Sequence, residues 1–390
     1  MPAGGPDVTH FTARPFNTWG CGYIAYQAAL AAHRAGRLRR VIAPSFVPGD
    51  IPEGIIRVAP HGFWWNVLQR LPYRIKVRFA LDFLFRDNEL DWKARRLVPE
   101  GGIFHAWSHQ GLFSMRRARR LGARLVLERP NTHPLEMTRL VRQEHRRFGA
   151  PGRVDAPFEV RKCLAEHALA DRIVVCSQFA RESHLRHGVP DGKIRVINYG
   201  VDTETFSPGP KWDDVFRVVF CGMVCLRKGI QYLLQAWEEL ALPGAELLVL
   251  GLVLPDALHL VERYRGLPGL RIQGHVDSRT ELAELYRQGS VFVFPSVEDG
   301  FGMVVTEAMA CGIPVVISDH TGAMDVVQDG VNGFVVPTYD VEALKQRILT
   351  LRDDPGLCRS MGAAARETAL QNTWLHYGQK LLRVYDELSG

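Results

Sequence analysis

The sequence predicts an α/β protein built from two doubly wound parallel sheets, on three observations. Short apolar segments typical of buried strands alternate with amphipathic segments of helical period along the whole chain. The 390 residues exceed one ordinary hydrophobic core and suit two domains of about 190 residues each. Between the halves lies the turn-rich segment 199–208, which has few apolar residues.

The elements follow this alternation from the first residues onward. Strands are predicted near 7–13, 39–44, 55–59, 102–107, 124–128, 172–176 and 194–198, and then near 216–222, 246–250, 270–274, 291–295, 314–318 and 334–336. First-half helices are predicted near 22–35, 62–86 with a break at Pro72, 110–121, 135–148, 158–170 and 178–187. Helices also separate the later strands, and the last one carries Leu375, Leu381, Leu382, Tyr385 and Leu388 on one face.

Composition indicates a folded enzyme rather than a disordered chain, with 46% hydrophobic and 23% charged residues. No apolar run approaches the roughly 20 residues that span a bilayer, and no signal peptide is visible. The seven cysteines form no C-x-x-C pair and show no zinc spacing, so we expect buried, reduced thiols and a cytoplasmic protein.

Charge is unevenly distributed. Residues 1–200 contain 32 Lys and Arg against 17 Asp and Glu, a net charge of +15, whereas residues 201–390 have a net charge of −9. Either the first half contacts an anionic partner, such as a membrane surface, a phosphorylated lipid or an acidic glycan, or an arginine-rich genome raised the count. The segment 61–86 mixes aromatic and basic residues, and its helix either packs on its own sheet, lies on a membrane surface or shapes a binding pocket. No nucleic-acid-binding module is recognisable.

The most informative motif follows the apolar strand at 291–294. Two acids, Glu298 and Asp299, precede a turn that contains Gly300 and Gly302, and a helix carrying Glu307 then begins. This order places free backbone N–H groups and the positive end of a helix dipole at the carboxyl edge of a sheet, which suits a phosphate group. The carboxylates can accept hydrogen bonds from sugar hydroxyls.

Other strand ends carry complementary groups. The strand at 218–222 leads to Arg227 and Lys228, a cationic pair that suits a diphosphate. In the first half, a loop with Gly20 and Gly22 separates the first strand from the first helix and allows close approach of the backbone to a ligand. Two further strands end in histidine-bearing segments, with His105 and His109 in one, and His133 in the other.

Together with the segments 171–177 and 193–208, these motifs resemble the retaining glycosyltransferases of family four, which have the GT-B fold. The resemblance runs from about Phe104 to the C-terminus and is weaker before it. It implies two Rossmann-like doubly wound domains that face a central cleft. We expect an acceptor-binding domain over 1–198, a donor-binding domain over 199–372, and a C-terminal helix over 373–390 that crosses back to the first domain.

The resemblance also implies roles for individual residues. Predicted catalytic residues are His133, near the reacting sugar, Asp299, on the hydroxyls of the donor sugar, and Lys228, on the diphosphate. The predicted donor-binding residues are Asp299, Lys228, Gly20, Gly22, Arg227, Phe301, Gly302, Met303, Val304 and Glu307. Of these, Glu307 is expected to contact the ribose, and residues 301–304 are expected to act through their backbone amides.

Two positions depart from the family pattern. Met223 stands where the family has an arginine, so either Arg227 supplies the second positive charge or the diphosphate has one cation fewer. Asp299 stands where the family has a glutamate, so either Glu298 compensates for the shorter side chain or the donor sugar lies closer.

The resulting expectation is transfer of a hexose-type sugar, with retention, from a UDP-, GDP- or ADP-sugar to a hydroxyl of a glycan, a lipid-linked glycan or a glycolipid. No metal site and no cofactor are expected, because no Asp-x-Asp pair lies in a matching place. The protein is expected either free in the cytoplasm or in peripheral contact with the inner face of the membrane. The alternative is a non-catalytic relative that binds a sugar nucleotide or a glycan.

Overall fold

A computed structural model describes residues 5–68, 70–71, 86–150 and 157–389, with the side chain of Trp64 also outside the description. In these ranges, thirteen strands form two parallel sheets. The first has the order β3-β2-β1-β4-β5-β6-β7, with β1 Val8–Phe11, β2 Leu38–Ala43, β3 Ile56–Val58, β4 Ile103–Trp107, β5 Arg124–Arg129, β6 Arg172–Val175 and β7 Ile194–Val196. The second has the order β10-β9-β8-β11-β12-β13, with β8 Arg217–Cys221, β9 Glu246–Leu250, β10 Leu270–Gly274, β11 Val291–Phe294, β12 Val315–Ser318 and β13 Gly333–Val336.

Helices cover both sheets. In the first domain they are α1 Cys21–Arg34, α2 Phe63–Leu68, α3 Asn88–Ala94, α4 Leu112–Arg120, α5 Pro134–Arg147, α6 Pro157–Leu169 and α7 Gln178–Arg186. In the second they are α8 Ile230–Leu240, α9 Leu258–Tyr264, α10 Arg279–Arg287, α11 Met303–Ala310, α12 Val341–Asp353 and α13 Pro355–Gln371, followed by α14 Trp374–Asp386. None of the helices described is both long and apolar enough to span a bilayer.

The predicted strands all overlap observed ones. Central strands such as β8 and β11 are buried along their whole length, because helices cover both faces of a parallel sheet. Of the predicted helix over 62–86, the structure describes the start, as α2, residues 70–71 and Arg86, and residues 69 and 72–85 lie outside the described ranges. Helix α3 was not predicted, because its seven residues are too few for a clear helical period.

Each sheet has its own large cluster of buried side chains, which confirms the two-domain α/β architecture. In both sheets the strand order reverses direction beside the first strand of the domain, between β1 and β4 and between β8 and β11. Ligands of open α/β sheets bind outside the carboxyl ends of the strands at such switch points. The domain boundaries at 198 and 372 stay predictions.

The C-terminal helix α14 crosses back to the first domain, as predicted. Tyr377 donates hydrogen bonds to the carboxyl oxygens of Glu128 at 2.9 and 3.0 Å, and the hydroxyl of Tyr385 lies 2.7 Å from Nδ1 of His105. The predicted apolar face is wrong in one place, because Leu375 is exposed. The hydroxyl groups of these two tyrosines hold the helix against buried polar groups of β4 and β5. The pattern of apolar residues in the sequence does not predict these hydrogen bonds.

Candidate active site at the edges of the two sheets

The turn after β8 brings Lys228 to the end of β11. Gly229 closes this turn with φ of 73°, and a Cβ there would lie 1.8 Å from the carbonyl oxygen of Pro295, so only glycine fits. The ammonium group of Lys228 donates a hydrogen bond to Oδ2 of Asp299. The two predicted residues therefore lie in one place, at the switch point of the second sheet.

Electrostatics fix the charge of this pair. Burial alone would raise the pKa of Asp299, but the positive charges of Lys228 and Arg227 outweigh it and lower that pKa. Burial and the charge of Arg227 lower the pKa of Lys228, while Asp299 opposes the shift. Asp299 is thus an anion at neutral pH, able to accept hydrogen bonds, and Lys228 is its cationic neighbour.

The two acids before the glycine turn have different partners. Glu298 accepts hydrogen bonds from the backbone N–H of Thr132 at 3.0 Å and from its hydroxyl at 2.8 Å, and it pairs with Nη1 of Arg227 at 2.9 Å. Thr132 belongs to the first domain, so Glu298 connects the two domains across the cleft. Both oxygens of Glu298 already have partners, and whether it compensates for the shorter Asp299 stays a prediction. Arg227 points to Glu298, and its predicted role in donor binding stays a prediction.

Helix α11 begins beside this pair. Gly302, with φ of 83°, precedes its first residue, and no described side chain caps the helix. The N–H of Phe301 donates to Oδ1 of Asp299 at 3.2 Å. For the amides of Gly302, Met303 and Val304, no acceptor is found among the described residues. These three amides at the positive end of a helix form a site suited to a phosphate or sugar oxygen.

The side chain of Phe301 contributes more than its predicted backbone contact. It is buried in the core cluster of the first domain, and its ring centroid lies 5.8 Å from that of Tyr199. Ser177, at the end of β6, donates a hydrogen bond to the carbonyl oxygen of Gly300 at 2.6 Å. The loop before α11 is therefore fixed to both domains.

Glu307 is buried behind this loop, where the hydroxyl of Tyr286 donates to its Oε2 at 3.3 Å. Burial raises the pKa of Glu307 to about 7, against the opposing charge of Arg279. The guanidinium group of Arg279 lies 4.3 Å from the ring centroid of Tyr23 in the first domain, and 3.6 Å from a carboxylate oxygen of Asp202. Glu307 thus lies close to the cleft wall formed by both domains. Sequence reasoning missed Arg279, which no motif marks.

The glycine loop of the first domain faces this wall. Gly20, with φ of 60°, precedes α1, and a Cβ on Gly22 would lie 2.1 Å from the carbonyl oxygen of Pro15. Both glycines are therefore required by the tight turn. The ring of Trp19 lies 5.8 Å from that of His275, which follows β10 in the second domain. The carboxyl edges of the two sheets face each other here, as the fold prediction requires.

His133 lies in a different setting. It precedes α5, where its Nδ1 accepts a hydrogen bond from the N–H of Leu135 at 3.4 Å. Its ring stacks on His187 with 4.5 Å between centroids and meets His167 and His184 edge-on. Desolvation and the neighbouring histidines lower its pKa to about 3, so it is neutral. Among the described residues, none of its hydrogen bonds or ring contacts involves the Lys228–Asp299 pair, and its catalytic role stays a prediction.

The described residues contain no group of three or more His, Cys, Asp or Glu side chains arranged to hold a metal ion. The four clustered histidines are included in that statement. Whether catalysis is independent of metal stays a prediction. His105, by contrast, is a packing residue, because it is buried between β5 and α14.

Comparison with known proteins agrees with this geometry. The family model for glycosyl transferases group 1 matches residues 202–368, and the model for glycosyltransferase family 4 matches residues 20–205. The two models divide the chain close to the turn-rich segment between the sheets. The chain belongs to the family-four glycosyltransferases with the GT-B fold.

Curated relatives match in part of their length. D-inositol 3-phosphate glycosyltransferase from Kribbella flavida is 30% identical over 256 residues, which are 59% of this chain and 60% of that protein. Alpha-maltose-1-phosphate synthase from Mycolicibacterium smegmatis is 30% identical over 253 residues, 56% of this chain and 64% of that protein. The chain thus matches about three fifths of the length of these relatives.

Solved structures match the whole fold. Sucrose-phosphate synthase from Thermosynechococcus elongatus superposes with a TM-score of 0.73 at 22% identity, over 98% of this chain and 99% of that one. HepE from Anabaena, in complex with UDP-glucose, superposes with a TM-score of 0.68 at 17% identity, over 98% of this chain and all of that one. At these identities the likeness shows the fold.

Proposed function

We propose that this protein transfers a hexose-type sugar from a nucleoside-diphosphate-sugar to a hydroxyl group of a glycan, a lipid-linked glycan or a glycolipid, with retention at the anomeric carbon. The observation that carries the proposal is the convergence of Lys228, Asp299 and the amides of Gly302–Val304 at one sheet edge. A cation and open amides suit a diphosphate, and the carboxylate beside them suits sugar hydroxyls. Complexes of HepE with UDP and with UDP-glucose show such ligands on the same fold.

The diphosphate would lie between Lys228 and the start of α11. Lys228 would then share its charge between Asp299 and a phosphate oxygen, while the amides of Met303 and Val304 donate to the phosphate. Negative charge grows on the diphosphate as its bond to the sugar breaks, so these groups stabilise the transition state more than the ground state. The ribose would lie near Glu307.

The transfer itself exchanges one bond at the anomeric carbon. The C1–O bond to the diphosphate breaks, a C1–O bond to the acceptor oxygen forms on the same face, and the acceptor proton passes to an oxygen of the departing phosphate. No protein general base is required by this route. Asp299, as an anion, would hold the hydroxyls of the sugar while its ring flattens. We place the reaction in the cytoplasm, either free or at the inner face of the membrane.

Donor hydrolysis and transfer to an acceptor panel test the proposal, with UDP-, GDP- and ADP-sugars as donors. Lys228→Ala and Glu307→Ala are each expected to lower kcat/KM by about 100-fold, because each removes a charged contact to the donor. Lys345→Ala is the matched control, since Lys345 lies on α12 and pairs with Glu239 and Glu342 on the surface. Full activity in both site variants would contradict the proposal. Nucleotide binding by the wild type without turnover on any acceptor would instead favour a binding protein.

A further inference from the structure

A buried carboxylate in the first domain holds two arginine side chains. Asp87 accepts hydrogen bonds from Nη1 of Arg14 at 2.9 Å and from Nε of Arg86 at 2.7 Å, and each guanidinium group donates a second bond to its other oxygen at 3.3 Å. The side chain of Asp87 is 1% exposed, whereas those of Arg14 and Arg86 are each 26% exposed. The carboxylate therefore lies beneath both guanidinium groups, whose outer edges reach the surface.

These groups lie at the carboxyl edge of the first sheet. Arg14 follows β1, His109 follows β4 and Arg129 ends β5, and these strands are neighbours in the sheet. Nδ1 of His109 is 3.5 Å from Oδ2 of Asp87. Arg14 immediately precedes Pro15, whose carbonyl oxygen would lie 2.1 Å from a Cβ on Gly22. Nη1 of Arg129 donates to the hydroxyl of Ser108, the residue before His109, at 3.4 Å. The cluster thus borders the glycine loop that faces the donor domain.

The cluster carries more positive than negative charge. Burial would raise the pKa of Asp87, but Arg14, His109 and Arg86 hold it well below its usual range, so Asp87 is ionised. One carboxylate therefore faces two guanidinium groups. Burial lowers the pKa of His109, which makes this imidazole a neutral partner at pH 7.

Arg129 adds a third positive charge that is 98% buried. Its hydrogen bonds go to the carbonyl oxygen of Thr132 at 3.0 Å, the hydroxyl of Ser108 at 3.4 Å and the sulfur of Met137 at 3.8 Å. Among the described residues no carboxylate pairs with it. A buried guanidinium group without an anionic partner is costly, and an anionic ligand that approaches it removes that cost.

We propose that Arg14, Arg86 and Arg129 form a binding site for a phosphate group carried by the acceptor. This inference rests on the proposed function, since it assigns a substrate class to the acceptor side of the same cleft. Asp87 takes two N–H groups of Arg14 and two of Arg86, so the remaining N–H groups of these side chains are the donors left for a phosphate. Among the described residues, the three guanidinium groups outnumber the nearby carboxylates of Asp87 and of Glu166, which accepts from the N–H groups of His109 and Gly111. The net charge of +15 in residues 1–200 gives this edge a favourable long-range field.

Calorimetry with soluble probes tests the site directly. Wild type should bind inorganic phosphate and glucose 6-phosphate, and glucose much more weakly. Arg14→Gln, Arg86→Gln and Arg129→Gln should each weaken glucose 6-phosphate binding by about tenfold or more, because each removes a charge-assisted hydrogen bond. Arg117→Gln, an exposed charge-matched control on α4, should leave it unchanged. Arg14→Lys keeps the charge beside Asp87 and should retain part of the affinity, and thermal melting checks that each variant is folded.

Two further experiments distinguish a lipid headgroup from a free sugar phosphate, and failure of this inference from failure of the proposed function. Binding to phosphatidylcholine vesicles with and without phosphatidic acid tests whether a lipid headgroup fills the site. If the arginine variants lose vesicle binding, the phosphate belongs to a lipid headgroup. If they lose only the binding of soluble phosphate, it belongs to a free sugar phosphate. Lys228→Met should leave glucose 6-phosphate binding intact. Loss of binding in Lys228→Met but in none of the arginine variants would place the phosphate in the donor site and overturn the inference. Failure of wild type to bind any nucleoside diphosphate would overturn the proposed function without touching this site.

Discussion

The ammonium group of Lys228 and the carboxylate of Asp299 form an ion pair across the two central strand ends of the second sheet. The side chains are 8% and 15% exposed. Each group is therefore desolvated and depends on the other for charge compensation. A donor diphosphate would bring a second anion to Lys228, and the pair thus couples the stability of this sheet edge to donor binding.

Asp299→Asn is expected to destabilise the protein by about 3 kcal/mol, because it leaves Lys228 buried with Arg227 nearby and without its anionic partner. Urea unfolding measures the loss. The double variant Asp299→Asn, Lys228→Met should recover most of it, since no unpaired charge remains. A single variant as stable as wild type would show that the pair is weak and that the remaining charge of Glu298 suffices for Lys228.

Position 223, where this chain has methionine and the family has arginine, allows a test of what that arginine contributes. The side chain of Met223 is 43% exposed and follows β8, so an arginine there can be accommodated without entering the core. Met223→Arg is expected to tighten nucleoside diphosphate binding by about fivefold and to leave nucleoside binding unchanged, because the added charge acts on phosphate. Calorimetry with UDP and uridine, or the pair for whichever base binds, measures both. Equal effects on both ligands would show that the residue at 223 does not reach the diphosphate.

Glu307 predicts a pH dependence of donor binding. Burial raises its pKa to about 7, so protonation begins near neutral pH rather than near 4.5. An ionised Glu307 accepts two ribose hydrogen bonds and a protonated one accepts fewer, so affinity should fall as pH drops from 8 to 6, by about fivefold. Glu307→Gln should bind more weakly and lose this part of the pH dependence. Comparison of the two proteins cancels the titration of the nucleotide phosphate, and parallel pH profiles would contradict the assignment.

The fold was largely predictable from the sequence. Strands such as β8 and β11 are continuous apolar runs, because both faces of a parallel sheet are buried, and this signal is local. Lys228, Asp299 and Glu307 were predicted to share one edge for a similar reason, since each follows a strand of the same sheet. The order of the strands in the sheet is therefore enough to predict that these three residues lie close together.

Partners across the cleft were not predictable in the same way. Thr132 with Glu298, and Ser177 with Gly300, join residues more than one hundred positions apart and depend on how the two domains close. The Arg14–Asp87 pair brings together a loop and a helix start that share no motif. Such contacts leave no periodic signal, because each involves a single polar side chain in an otherwise ordinary segment.

The close contact of Gly300 with the first domain allows a steric test of domain closure. A Cβ at this position would lie 2.1 Å from the carbonyl oxygen of Pro130 and 2.7 Å from Cα of Asn131, both in the first domain. Gly300→Ala must therefore separate the domains or displace the loop, at a cost of about 1–3 kcal/mol. We expect a larger radius of gyration in small-angle scattering and a strong loss of transfer activity. Gly266→Ala is the control, because no atom of the residues that the structure describes lies within 4 Å of its added Cβ. Unchanged scattering and activity in Gly300→Ala would mean that the open arrangement is the active one.

The raised pKa of Glu128, which contacts α14, predicts that the free energy of unfolding depends on pH. Glu128 is fully buried against Tyr377 and His105, and burial raises its pKa to about 8, against the opposing hydrogen bond from Tyr377. In the unfolded chain the pKa is near 4.5, so the folded state binds the extra proton between these values. The stabilising contribution is complete below pH 4.5 and is lost as pH rises towards 8.

Glu128→Gln stays neutral and keeps an acceptor for Tyr377, so it lacks this slope. Wild type should lose about 2 kcal/mol more than Glu128→Gln between pH 6 and pH 8, as measured by urea unfolding at both pH values. The difference between the proteins cancels other titrating groups, including Glu307. The exposed Glu284→Gln is the matched control and should follow wild type. If wild type and Glu128→Gln lose the same stability over this range, Glu128 is already ionised beneath α14 at neutral pH and its burial is compensated in another way.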